Sequence, residues 1–474
     1  METYLKAKSI HVFAWPFFVS DEKSERNTFK NRLEEKGWLK TTPEYRMTAG
    51  DVPKTRNFFM LEQYLSGKAR HVYLNKEDKA CQIYEYPFKG EKAVYRIVTQ
   101  EGKTYDLLID SIELHVYAHN VGVLFFKTLN IDEKTTIKDI KLINNKGRNI
   151  ALPFIPDSPE GGILCAESVG ILFGEKEHFT DFRKMIRDYY SAGVTGDALE
   201  RFSKTADFLY DVINVNLDNS GINDIEVNPT TDDRMYVMSM IRDGYLTRQL
   251  QQKEWRESRW GEETLYSIFF IDSDDATCQY GEMRKLCLKE AMYSRWLDWG
   301  TVYGMTEYSF VGITAEIEGI NASVVRPFYV EYVYMISLIM AQRVTIMKFS
   351  EEAGRLAGKI KNGRRLLARR LSKQLLTLQK NYVVFLNRMM LAEFSCQEQG
   401  LELYDMMQKR MLVEKERDLL DAKLQGLYEI VNISNGTRSS GWSLLWAVLA
   451  IVIALVPYLA EGVQKLLLLI GGGN

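Results

Sequence analysis

The stretch Trp442–Ala460, WSLLWAVLAIVIALVPYLA, decides how this chain is read. It carries no charge and one small hydroxyl, Ser443. Its 19 residues, at ~1.5 Å of rise each, reach roughly the ~30 Å of a bilayer's hydrocarbon core. Trp442 and Trp446 stand at the near end and Tyr458 at the far end, where amphipathic rings prefer the headgroup level. Pro457 is tolerated near a helix end in lipid when neighbours satisfy the freed carbonyl. The stretch predicts a transmembrane helix. A buried core helix is the competing reading, but such helices seldom run this long without a polar face.

Working outward, the rest of the chain has an ordinary soluble composition. It has 474 residues, 46% hydrophobic and 26% charged, with net charge −2, and its length suggests two to four domains. No global pull on nucleic acid follows from that charge, so any such binding must come from a local patch. Five cysteines, Cys81, Cys165, Cys278, Cys287 and Cys396, show no CxxC spacing and suit reduced thiols in a cytosolic compartment. His115 and His119 are i,i+4, yet ELHVYAHN alternates as a strand does, so a metal pair is not expected. Lys6 and Lys8 before IHVFAWPFFV imitate a signal peptide, but His11, Pro16 and the missing small-x-small site favour a buried strand. Arg438 and Lys465 flank the apolar stretch evenly. The basic run on its N-terminal side favours that side, and the bulk of the chain, being cytoplasmic.

Taken in order, residues 1–190 read as an α+β sensor domain. Strands are expected at Ile10–Val19, Cys81–Phe88, Ala93–Thr99, Asp106–Ile109, Glu113–Tyr117 and Val121–Lys127. Helices are expected at Ser24–Lys36, Lys54–Ser66 and Thr136–Asn144. Residues 191–325 read as a second α+β part, with strands at Asp233–Asp243 and Leu265–Asp272 and a helix at Tyr280–Tyr293. Trp296–Tyr303 and Glu307–Thr314 form a hairpin whose turn holds Gly304. Two subdomains or one larger unit both fit. Residues 326–437 turn helical and read as a stalk. One helix runs over Phe328–Leu356, with a break at Gly358–Gly363, and a second over Arg364–Glu393. A third starts at a capping box, Ser395 to Glu398, and runs on toward the membrane. Residues 438–474 are the transmembrane helix and a short tail, EGVQKLLLLIGGGN, too short to span again.

Three features could carry function. Ser443, Ala447, Ala450 and Ala454 recur at spacings of four, three and four, with Glu461 seven further on. Such a small-residue stripe lets helices pack closely, or lines a narrow pore in a ring of helices with Glu461 at its far mouth. The run Lys359, Lys361, Arg364, Arg365, Arg369, Arg370, Lys373 is a solvated face, or a surface for anionic lipid or a polyanion. Aromatic and basic residues interleave at Trp255, Arg256, Arg259 and Trp260, and again at Arg295, Trp296, Trp299 and Tyr303. Bases stack on such groups, although tryptophans of a core give the same pattern. No enzyme signature stands out: there is no phosphate loop, no nucleophile elbow and no HExxH, and no cofactor is expected. Asp272, Asp274 and Asp275 read as an ordinary acidic turn.

A cytosolic α+β domain, a stalk of long helices and a C-terminal membrane span together resemble the CorA-like ion-channel architecture, over roughly Phe328 to Ala460. The family's Gly-Met-Asn pore signature is replaced here by Pro457-Tyr-Leu-Ala-Glu-Gly462, and Tyr303-Gly-Met-Thr306 lies in the soluble part. FLNRMMLAEFSCQEQGLELYD (Phe385–Asp405) is similar to divergent relatives that serve as effectors of bacterial anti-phage defence. One branch belongs to type III CRISPR systems and answers a nucleotide second messenger. Another, in the Hailong system, is held shut by single-stranded DNA oligomers from a partner nucleotidyltransferase. The resemblance implies a non-enzymatic homo-oligomer, tetramer or pentamer, in the bacterial inner membrane. A cyclic or modified nucleotide or a DNA oligomer would gate it, and opening would depolarise the cell. A CorA-type divalent-cation transporter and a tethered receptor without a pore are the alternatives. The ligand contacts expected are Trp255, Arg256, Arg259, Trp260, Arg365 and Arg369. Ala450→Trp or Ala454→Trp is expected to block conductance across a lipid bilayer, whereas Leu449→Trp on the opposite face should be milder. Equal tolerance of both would make the helix a plain anchor.

Overall fold

The computed structural model describes residues 3–19, 29–41, 52–75, 80–88, 91–192, 206–217, 225–273, 276–361 and 365–434. The apolar stretch Trp442–Ala460 and the stripe Ser443, Ala447, Ala450, Ala454 and Glu461 lie outside the described residues. Two compact units emerge, one of residues 1–350 with 381–420, the other of 351–380 with 421–474.

The first unit is built on a 13-stranded mixed sheet. In chain order its strands are β1 (Ser9–Phe18), β2 (Leu39–Lys40), β3 (Cys81–Glu85), β4 (Ala93–Val98), β5 (Thr104–Tyr117), β6 (Val121–Asn130), β7 (Ser168–Phe173) and β8 (Lys176–Asp181). They continue with β9 (Asn228–Pro229), β10 (Tyr236–Arg242), β11 (Met292–Tyr293), β12 (Val302–Met305) and β13 (Ser309–Thr314). The spatial order is β11-β12-β13-β10-β1-β6-β5-β4-β7-β8, with strands from both expected α+β parts in one sheet. Every pairing is antiparallel except β10 with β13.

Helices cover both faces. Those of the described chain are α1 (Phe29–Lys36), α2 (Val52–Tyr64), α3 (Gly67–Leu74), α4 (Ile137–Gly147), α5 (Phe182–Ala192), α6 (Asp207–Ile213) and α7 (Gly244–Gln251). They continue with α8 (Lys253–Arg256), α9 (Arg259–Phe269), α10 (Gly281–Ala291), α11 (Glu331–Lys361), α12 (Arg365–Met389), α13 (Glu398–Arg410) and α14 (Val413–Ser434), with unnumbered helical turns at Glu318–Ile320 and Arg326–Tyr329 before α11. The odd residues Phe13, Trp15 and Phe17 of β1 join one large core with α1, α4, α5, α6, α7 and α9. The other face of the sheet meets α11. His115 there packs with Phe125 and with Tyr334, and Tyr303 and Phe310 pack with Phe328 and Tyr332. A strand buried on both faces reads as a continuous apolar run, which is what IHVFAWPFF is. A bulge at Asp110 shifts the alternation of β5 by one. Tyr105, Leu107 and Ile109 face the large core before it, and Ile112, Leu114 and Val116 after it. One strand thereby pairs β4 with its first half and β3 with its second.

By length and hydropathy alone the segment Ala322–Lys359 could cross a membrane, but 83% of its most apolar window is buried inside the protein. Burial against the sheet explains that apolarity. The polar groups of the same helix are answered in kind. The Ser337 hydroxyl lies 2.8 Å from His115 Nδ1 and 2.7 Å from Tyr117 Oη, which is 2.6 Å from Tyr73 Oη. Gln342 donates to Met389 O at 2.6 Å and accepts from Gln408 at 3.2 Å. In the second unit Leu356, Leu371, Leu375, Leu378, Leu424 and Leu427 are buried, giving its helical segments an apolar core.

Four expectations need correction. Leu265–Asp272 is not a strand: LYSIFF completes α9, its buried side filling the sheet's core, because a short apolar run suits either state. Gly304 is not in the hairpin turn but inside β12, where a Cβ would overlap the Phe269 ring, and the turn is Thr306–Tyr308. Ser395 does not form a capping box. Its hydroxyl donates to Glu331 Oε1 at 2.7 Å, and α13 starts after Gln397 without a side-chain cap. The third stalk helix is broken at Leu412, where φ is +55°, so α13 and α14 are separate helices.

Glu331 opens α11 and is 2% exposed. Burial pushes its carboxyl up to about 7, with the Ser395 hydroxyl pulling the other way. That lies above the ~4.3 of an ordinary glutamate, so the folded chain binds this proton more tightly than the unfolded one. The associated stability is full below the unfolded value and is lost as pH rises through about 7. Glu331→Gln is therefore expected to flatten the fall in urea midpoint between pH ~5 and pH ~8. An unchanged slope would contradict the assignment.

Candidate functional site

At the C-terminal end of β1 and the N-terminal end of β10 the sheet leaves a groove of about 190 Å³ beside α11. Its floor is Pro16 and Tyr236, and one wall is the loop Thr230–Arg234. The β12–β13 turn contributes Glu307 and Tyr308. Helix α11 contributes Met340, Arg343, Val344 and Met347 at helical spacing, and Met411 closes one end. The loop is pinned by Thr230 Oγ1 donating to Pro16 O at 2.9 Å. Tyr236 Oη lies 3.3 Å from Met407 Sδ.

Two arginines face this groove and both are engaged by carboxylates. Arg234 holds Asp232 at 2.9 Å and Asp233 at 3.1 Å, and its guanidinium sits 5.4 Å from the centre of the half-exposed Tyr308 ring. Arg343 bridges Glu307 at 3.3 Å and Glu416, on the first turn of α14, at 3.5 Å. Burial raises the Glu416 carboxyl, opposed by Arg343. Burial likewise raises Asp233, opposed by Arg234. Four carboxylates thus stand around two guanidinium groups. The groove can accept a small ring between Tyr308 and the methionines, with polar groups at the rim.

The sequence-predicted ligand residues lie elsewhere. Trp255 is buried in α8 and meets Trp260 edge to face at 5.6 Å, while Trp260 is 58% exposed. Arg256 donates to the Leu250 carbonyl, and Arg259 pairs with Glu263 at 2.8 Å, one helical turn on. These guanidinium groups serve local structure, and none of the four residues lines the groove. Arg295 pairs with Glu398 and Glu402 of α13, and Trp296 donates to Gln399 at 2.6 Å. Arg365 and Arg369 belong to α12, their side chains lying outside what is described. Asp272 accepts from Thr277 N at 2.5 Å, and Asp274 and Asp275 lie outside the described residues. His115 and His119 do not pair. His115 is buried in β5, and His119 lies in the following turn at φ +61°. No group of three metal-ligating side chains occurs among the described residues.

Sequence reasoning missed the groove because its residues span positions 16 to 411 and no local motif joins them. Comparison with protein-family models, with curated proteins and with solved structures gives no match. The local roles around α8–α10 can be separated by mutation. Arg284, 2% exposed, lies 3.6 Å from Glu262 and donates to Cys278 O at 2.9 Å. Arg284→Ala is expected to cost about 3–5 kcal/mol of unfolding free energy by leaving a buried carboxylate unpaired. Arg259→Ala should stay within about 0.5 kcal/mol, as read by urea denaturation.

Proposed function

We propose that this chain is the subunit of a homo-oligomeric, ligand-gated ion channel of the bacterial cytoplasmic membrane, acting in anti-phage defence without enzymatic activity. The α+β unit senses a nucleotide-type ligand, and the residue 442–460 stretch supplies the pore helix. Opening dissipates the membrane potential and halts phage replication. The CorA-like layout read in the sequence is the basis for the class, and a nucleotidyltransferase or CRISPR polymerase would be the source of the ligand.

One observation carries the reading. The groove's wall is α11, and its Arg343 is paired with Glu416 of α14, the helix that precedes the apolar stretch in the chain. A ligand in the groove therefore touches the ion pair that holds the start of that helix. A ligand shifts a two-state equilibrium only by its differential affinity for the two states. A site built partly from α11 provides such a difference if α11 or α14 moves.

The test is an anchor exchange. Cells expressing the chain with residues 442–470 replaced by an unrelated membrane helix should lose ligand-dependent depolarisation, read with a potential-sensitive dye. Retained depolarisation would make the segment a tether and overturn the pore assignment.

A further inference from the structure

A second cavity, of about 500 Å³, shares no residue with the groove of about 190 Å³. Its lining comes mainly from two elements. Helix α3 gives Lys68, His71 and Val72, and the end of α12 with the residues after it gives Arg388 and Leu391. These two walls are locked together by backbone. Leu65 and Ser395 form an antiparallel bridge, Ser66 N donates to Phe394 O at 2.9 Å, and Cys396 N donates to Tyr64 O at 2.7 Å. The Ser66 hydroxyl accepts from Ala69 N at 3.2 Å, capping α3, and donates to Glu393 O at 2.7 Å. The cavity is therefore preformed, and a ligand need not order its walls.

Its charge is of one sign. Lys68, His71 and Arg388 line it, and no carboxylate does so among the described residues. Lys68 makes no hydrogen bond or ion pair among the described residues. Elsewhere in this unit exposed cations stand beside carboxylates, as Lys40 with Glu34, Arg96 with Asp106 and Arg187 with Glu160. Cations gathered in one cavity repel each other, and an anion placed between them removes that cost. Carbonyls at the end of a helix would oppose an anion. Two of those after α12 are occupied from within: Gln342 donates to Met389 O at 2.6 Å and Tyr404 to Leu391 O at 3.2 Å.

The remaining wall is apolar. Val72 and Leu391 are buried and face the same space. The volume lies within the ~300–1,000 Å³ of small-ligand sites and exceeds what a bare phosphate fills. A phosphate monoester carries about −1.5 to −2 charge at neutral pH, so one such group answers two cations where a carboxylate answers one. We propose that this cavity binds a small phosphomonoester with a flat body, of nucleoside monophosphate size. The phosphate accepts from Lys68 and Arg388, the body lies against Val72 and Leu391, and the ligand bridges α3 to the end of α12. The site is separate from the groove and independent of the pore assignment.

The test uses the full chain in lipid nanodiscs, with adenosine monophosphate, adenosine and inorganic phosphate as probes. Binding is measured by calorimetry, and amide hydrogen exchange is read over residues 384–391. The monophosphate is expected to bind most tightly and to slow that exchange at least several-fold. Phosphate should bind more weakly, and adenosine not measurably. Lys68 and Arg388 are exposed, so Lys68→Gln and Arg388→Gln should keep the melting temperature of the free chain. Each should weaken the monophosphate about fivefold, whereas Lys253→Gln on α8 should not. Arg388→Lys, which keeps the charge, should bind more tightly than Arg388→Gln. Binding of no probe, or adenosine or phosphate matching the monophosphate, would overturn the proposal. Monophosphate binding indifferent to both glutamine variants, or with exchange unchanged at 384–391, would do the same. Binding is read without any current. A chain that passes this test but conducts nothing would therefore support the site while contradicting the channel.

Discussion

Strand β1 has no face toward water, and the rest of the first unit follows from that constraint. Phe13, Trp15 and Phe17 need one apolar layer, and Ile10, Val12 and Ala14 need another. The sheet is therefore covered on both sides. The first layer is a group of short helices gathered from the first 290 residues. The second is led by α11, whose apolarity equals that of a membrane helix because it is spent on the sheet. Burial of about 25 cal/mol per Å² over two such interfaces dominates the folding free energy. The polar groups of α11 must then be matched individually, and Ser337, Gln342 and Glu331 each are.

This arrangement bears on function. A helix that serves as a core layer cannot shift without repacking many side chains, so any signal it carries must start where its packing is thin. That place is the groove. There α11 presents methionines and Arg343 to a cavity, and the ionic contacts are long. Signal transmission through a single ion pair is economical but weak. A coupling of a few kcal/mol is what linked binding sites commonly show, and a half-buried pair can supply that much.

Much of the sheet was legible in the sequence. The alternating run AVYRIV reads as a half-buried strand, and the apolar run VFAWPFF favours a strand through its aromatic residues and its proline. The errors have physical causes. LYSIFF is as apolar as a strand, and only its continuation back to the Ser258 cap makes it helical. Gly304 looked like a turn glycine, whereas it is small because Phe269 lies against it. Ser395 satisfies the spacing of a capping box, but Glu331, 64 residues away, claims its hydroxyl. The break before α14 falls at a leucine with positive φ, which no local rule foresees. The aromatic and basic cluster at Trp255–Trp260 was visible, but the carbonyls and carboxylates that neutralise it were not. The groove required distant loops to be placed first. Trp442–Ala460 lies outside the described residues, and its expectation as a membrane helix rests on composition.

The proposed channel conducts ions when the unit built on the sheet changes state. The most direct measurement is ion flux from liposomes holding the purified full-length chain, with and without the nucleotide product of a partner enzyme. Flux is expected to depend on that product, in one direction or the other, and to disappear with Ala450→Trp. Sealed liposomes under every ligand condition, with the chain shown to be inserted and folded, would contradict it.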